Sequence, residues 1–172
     1  LPVYTRMKVA GLDFSTTYEK FEFHGEGAFK FEERDGKDDR FQGIIGLNYT
    51  WDDLGVKWLE HIMFIVEHTR ETNLSSRSRS PYIESGAFTN AFRDALAGRV
   101  RLKFNEDTQF SVGGTMDFTQ DPNYYVQFKF NHKLTDDLHI ETGFDLFDGD
   151  RDNFWGRWRD NDRFFFFVKY FF

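Results

Sequence analysis

Arg99, Arg101 and Lys103 stand two residues apart in ALAGRVRLKF, with Leu96, Val100, Leu102 and Phe104 in the opposite phase. In a β-strand this spacing puts three cations on one face, where they repel one another unless anions or partner carboxylates lie near. Two readings follow. The row attracts anionic solutes, or it is neutralised by Glu and Asp on neighbouring strands. Lys129, Glu22, Glu26, Glu141 and Asp117 occupy the polar phase of other alternating stretches and belong to the same candidate set. Covalent and redox chemistry find less support. There is no cysteine. The five histidines, His24, His61, His68, His132 and His139, form no close metal-binding motif such as H-E-x-x-H. DGDRDN at residues 148–153 superficially resembles a calcium loop but lacks the helical flanks and the closing Glu of an EF-hand. No glycine-rich phosphate loop is present. The expectation is no catalytic residue, no metal and no cofactor.

The elements that carry these residues are read from strict alternation, with helical periodicity nearly absent. Nine strands are expected. The first spans about Val3 to Phe14, followed by a turn at Ser15 to Lys20. The second, Phe21 to Glu32, sets Phe21, Phe23, Phe29 and Phe31 against Glu22, His24, Glu26, Lys30 and Glu32. The third spans Phe41 to Trp51. After a tight turn at Asp52 to Gly55, the fourth spans about Val56 to His68. It is apolar on both faces, so its phase is open: one choice puts Glu60 among the apolar residues, the other His61. The irregular stretch Arg70 to Asn90 holds Pro81 and a helical hint, with Ser85 as an N-cap and Phe88, Phe92 and Leu96 at four-residue spacing. The remaining strands span Ala95 to Phe104, Gln109 to Phe118, Tyr124 to Asn131, Leu138 to Phe147 and Arg163 to Phe172. Pro2, Pro81 and Pro122 all fall outside strand interiors, as residues without an amide hydrogen should.

Aromatic residues make up 20% of the chain while the mean hydropathy is -0.62. That combination suits strands with one face toward lipid and the other toward water, joined by polar loops. The last stretch, RFFFFVKYFF, makes the point locally: Phe164, Phe166, Val168, Tyr170 and Phe172 share one face, and Arg163 and Lys169 share the other with Phe165, Phe167 and Phe171. No apolar run reaches the roughly 18 residues of a spanning helix, which has no bearing on a barrel. The expected class is therefore all-β, an antiparallel transmembrane β-barrel forming a single domain. Nine is odd, whereas bacterial single-chain barrels have even counts. The chain is accordingly expected to be the C-terminal part of a larger barrel. The rival is a complete eight-stranded barrel from Phe21 onward, with Leu1 to Lys20 as an extension.

GRWRDNDR followed by a strand ending in Tyr170 and Phe172 resembles the closing hairpin of Gram-negative porin-like outer-membrane proteins. GLDFSTTYEKFEFHGEGAFKF is similar to an internal hairpin of that group. The resemblance implies an outer-membrane channel in contact with lipid and lipopolysaccharide, passing small hydrophilic solutes.

In a barrel the polar phases line the lumen. Leaving out the first and fourth strands, Lys30, Arg99, Arg101, Lys103, Lys129, Arg163 and Lys169 nearly balance Glu22, Glu26, Glu32, Asp117, Glu141 and Asp145, so a mixed lumen is expected. The formal net charge of -7 argues against nucleic acid as a partner. The functional expectation is a passive diffusion channel in the bacterial outer membrane, alone, as a homo-oligomer or in a larger complex. The alternatives are a structural or sheath barrel and, less favoured, a membrane-embedded lipid-modifying enzyme.

Overall fold

A computed structural model of the chain describes residues 6–32, 39–52, 54–74, 92–119 and 121–172. These residues form one antiparallel sheet of nine strands in sequential order. The strands are β1 (Met7–Tyr18), β2 (Phe21–Glu32), β3 (Arg40–Asp52), β4 (His61–Asn73), β5 (Asp94–Lys103), β6 (Thr108–Asp117), β7 (Asn123–Lys133), β8 (Leu138–Asp148) and β9 (Arg163–Tyr170). Each strand pairs with the next in the chain, so every connection is a hairpin. Among the described residues no ladder joins β1 to β9, and the sheet is open rather than closed into a barrel.

Register carries the alternation of each strand across the whole sheet. Because Phe23 faces Leu47, Leu47 faces Val66 and Phe64 faces Val100, apolar positions fall beside apolar positions from strand to strand. The same holds through Val112, Phe128, Phe144 and Phe164. A slip of one residue at any hairpin would send the rest of the sheet's aromatics to the polar side. One face is therefore mainly apolar, interrupted toward the long-loop end by His68, Arg70 and Asp94. It is also open: Leu12, Ile45, Phe144, Phe164 and Val168 are all more than half exposed. Ala95 is the one fully buried hydrophobic residue among those described. The sheet packs no second layer of its own to form a conventional core.

Two strands differ from the sequence expectation. The expected start of β1 at Val3 lies outside the described residues; the strand is described from Met7 and runs on through Thr16, Thr17 and Tyr18, which pair with Phe23, Glu22 and Phe21. The turn is thereby cut to Glu19 and Lys20, with Glu19 in the left-handed region at φ 53°. Since β1 pairs with β2 along its whole length, residues 7–18 are part of the sheet and not an extension beside an eight-stranded unit. β4 is displaced to His61–Asn73, because Thr69, Arg70, Glu71 and Thr72 continue the ladder with β3. Val56 to Glu60 belong to the connection instead, which turns at Gly55 (φ 69°). This settles the phase without a bulge. Glu60 precedes the strand, and His61 lies on the polar face opposite Lys103. The helical hint rested on Ser85 and Phe88, which lie outside the described residues; Leu96 is in β5.

Candidate functional site

The polar face is built by the positions that alternate with the aromatics. Asp13 on β1 faces Glu26 on β2, and Glu22 faces Asn48 on β3. Across the other half, one row runs Arg99, Gly113, Gln127, Asp145, Arg163 through β5 to β9, and the next runs Arg101, Ser111, Lys129, Gly143, Phe165. All eight candidate residues, Arg99, Arg101, Lys103, Lys129, Glu22, Glu26, Glu141 and Asp117, fall on this one face.

Their surroundings differ. Lys103 forms an ion pair with Glu60 at 2.8 Å, and Glu141 accepts from Lys169 Nζ at 2.8 Å. Glu22 accepts from Asn48 Nδ2 at 3.1 Å. Asp117 is buried at the long-loop end, where its carboxylate accepts the backbone N–H groups of Phe92 and Thr119 at 3.3 and 2.8 Å. Its geometry is that of a clasp on the chain entering and leaving β5 and β6. Glu26 is exposed. Among the described residues Arg99, Arg101 and Lys129 have no hydrogen bond or ion pair to a carboxylate, so the neutralised reading of the cationic row holds for Lys103 alone.

Glycines on this face let long side chains reach sideways. A Cβ on Gly46 would strike the His24 ring, which lies across that gap and meets Glu67 two strands away at 3.1 Å. A Cβ on Gly113 would stand 3.3 Å from Arg99 Nε, so the guanidinium leans over β6 toward β7. Gly143 leaves room for the Phe165 ring, whose Cζ would stand 2.6 Å from an added Cβ.

The most enclosed group is Asp145, with no exposed surface. Its Oδ1 accepts from Tyr125 Oη and Gln127 Nε2, both at 2.8 Å, and its Oδ2 accepts from Arg163 Nε at 2.6 Å. Three donors to one buried carboxylate satisfy a charge that would otherwise be costly to remove from water. Above it the segment between β8 and β9 folds onto the polar face. Trp155 stacks on Tyr125 at 4.9 Å and lies 5.9 Å from both Phe147 and Phe92. Its backbone N–H donates to Asn123 Oδ1 at 2.9 Å, and Asn153 Nδ2 donates to the Asp121 carbonyl at 2.9 Å. The sequence marks this segment only as acidic and aromatic; its inward fold depends on contacts with residues some thirty positions away. Tyr125 could have been found from sequence, since it shares the polar phase with Gln127 and Lys129.

At the short-turn end a hollow of about 230 Å³ is lined by residues that include Lys103, Gln109, Asn131, His139 and Lys169. In the turn beside it, the Lys133 ammonium hydrogen-bonds Asp136 at 2.6 Å and holds that carboxyl below its ordinary value. Among the described residues no three His, Cys, Asp or Glu side chains converge to hold a metal ion. Asp148, in the acidic run, instead accepts from Tyr124 Oη at 3.0 Å. Comparison with known protein families, with curated proteins and with solved structures finds no match.

Proposed function

We propose that this sheet is wall of an outer-membrane β-barrel whose polar face lines an aqueous channel for passive diffusion of small hydrophilic solutes. The observation that carries the reading is the pairing of an exposed, mainly apolar and aromatic face with a mainly polar face over nine strands. Soluble monomers rarely expose apolar patches beyond a few hundred Å², and this sheet has no layer of its own to cover the face. Lipid would cover it. β8 has 11 residues. At ~3.4 Å per residue and a tilt of ~45°, such a strand rises about 25 Å, the height of the apolar band in outer-membrane barrels.

The open edges fit the same reading. β1 and β9 run in the same direction, because the eight antiparallel pairings between them reverse the strand direction an even number of times. Direct closure of β9 on β1 would thus be parallel in an otherwise antiparallel sheet. An odd number of further strands restores antiparallel pairing at both seams and removes the edges, which are otherwise templates for aggregation. Lipopolysaccharide and phospholipid are the expected neighbours outside, and the unpaired edges leave room for a homo-oligomer or a larger complex.

The test is electrical. Full-length protein refolded in detergent and added to planar bilayers should give stepwise conductance in potassium chloride. A preparation that inserts, as judged by protease protection in vesicles, yet gives no conductance would sink the channel reading and favour a structural barrel.

A further inference from the structure

We infer that the basic half of the polar face is a binding site for small aromatic carboxylates; this rests on the channel reading for its role in transport, but not for its existence. Two kinds of side chain meet there that rarely share a water-facing wall. The first is cationic. Arg101 and Lys129 lie on one cross-strand row, separated only by Ser111, and Arg99 leans over Gly113 in the row beside them. The two nearby carboxylates are committed: Asp145 to Tyr125, Gln127 and Arg163, and Glu141 to Lys169. Three cations thus share a patch that holds no carboxylate partner for them among the described residues. Such a patch draws anions.

The second is aromatic. Phe165 and Phe167 sit on the polar face of β9, with ring centroids 5.6 Å apart, and Phe167 is 51% exposed. Phe165 pairs with Gly143, which pairs with Lys129. The missing side chain at Gly143 lets the Phe165 ring lie across β8, toward Lys129, filling the space that would otherwise separate them. The result is an aromatic platform beside an ammonium and a guanidinium. A chloride or phosphate ion would use the cations and leave the rings wet. A neutral apolar solute would use the rings and leave the cations unanswered. A flat apolar body with one carboxylate uses both, and stacking on a Phe ring adds to what the charge supplies.

The experiment uses the full chain in detergent micelles, titrated calorimetrically with benzoate, acetate and benzyl alcohol at equal ionic strength. Benzoate should bind about ten-fold more tightly than either of the others. Equal affinity for benzoate and acetate removes the platform from the site, equal affinity for benzoate and benzyl alcohol removes the cations, and either result overturns the inference. Phe165→Leu keeps apolar bulk in place and should abolish the preference for benzoate over acetate, while Lys129→Gln should weaken benzoate and acetate together. In bilayers, benzoate should block chloride current at about one tenth of the blocking concentration of acetate. Conductance without benzoate preference leaves the channel standing and this site fallen; benzoate preference in micelles without conductance does the reverse.

Discussion

On β1–β4 the polar face carries Asp13, Glu22, Glu26, Glu32, Asp52, Glu67 and Glu71 against Lys30 and Arg40. On β5–β9 it carries Arg99, Arg101, Lys103, Lys129, Lys133, Arg163 and Lys169 against Asp117, Glu141 and Asp145. The polar-face charges that nearly cancel along the chain are therefore sorted across the sheet. The two halves also use their charges differently. In the acidic half Asp13 faces Glu26 directly, and the hydrogen-bonded His24 and Glu67 side chains are open to water, 25% and 44% exposed, while Glu71, 12% exposed, is paired with Arg40 and Arg93. In the basic half the one fully buried carboxylate, Asp145, is tied by three donors and roofed by Trp155. If the sheet curves into a barrel, opposed walls of opposite sign set up a field across the lumen that aligns dipolar solutes.

The difference in burial is the easiest part to break. Asp145→Asn removes the charge that holds Tyr125, Gln127 and Arg163, and should cost about 2–4 kcal/mol, short of the full value for a buried pair because the Arg163 side chain is 67% exposed. Glu67→Gln removes an exposed partner and should cost under about 1 kcal/mol. Urea unfolding in micelles, followed by tryptophan fluorescence, compares the two. Equal losses would mean that the basic half is no better tied than the acidic one.

The difference in sign is tested by exchanging charges. Arg101→Glu should lower the ratio of anion to cation permeability about three-fold in 0.1 M salt, and Glu26→Lys should raise it by a similar factor. Both effects should shrink at 1 M salt, where the Debye length falls to about 3 Å. Reversal potentials across a salt gradient read this directly. Shifts in the same direction, or none, would mean that the two halves do not act on the same ions.

Much of this sorting is hidden in the chain order, and particular residues explain why. The five strands from β5 to β9 alternate cleanly, so their boundaries and faces, and the polar-side placement of Arg99, Arg101, Lys103 and Lys129, are readable from period two alone. β4 is not. Ile62, Met63, Phe64, Ile65 and Val66 are apolar in both phases, and only the pairing of Trp51 with Ile62 decides that Glu67 and Glu71 join the polar face. Those two carboxylates, with Asp13 of β1, deepen an imbalance that Glu22, Glu26, Glu32 and Asp52 against Lys30 and Arg40 already set. The enclosed groups were beyond the sequence for another reason. Asp145 is buried because Gln127 and Arg163 converge on it and Trp155 closes over Tyr125, contacts set by register across β7, β8 and β9. Nothing in the local pattern around Asp145 separates it from Asp117 or Glu141.

The smallest expected effect lies in the turn between β7 and β8. Asp136 is held below its ordinary value of 3.8 first by the hydrogen bond from Lys133 and then by that residue's charge. A carboxyl with a depressed folded value stabilises the fold above its unfolded value, and that contribution is lost as the pH falls through the folded one. Asp136→Asn should therefore leave the unfolding midpoint at neutral pH within error, since the carboxylate's side chain is 92% exposed and water screens the pair. Any difference between the variant and the wild type should shrink as the pH falls through the folded value. A pronounced neutral-pH loss from this turn would tie the stability of the basic half to its rim, and would weaken the assignment of that stability to the three donors around Asp145.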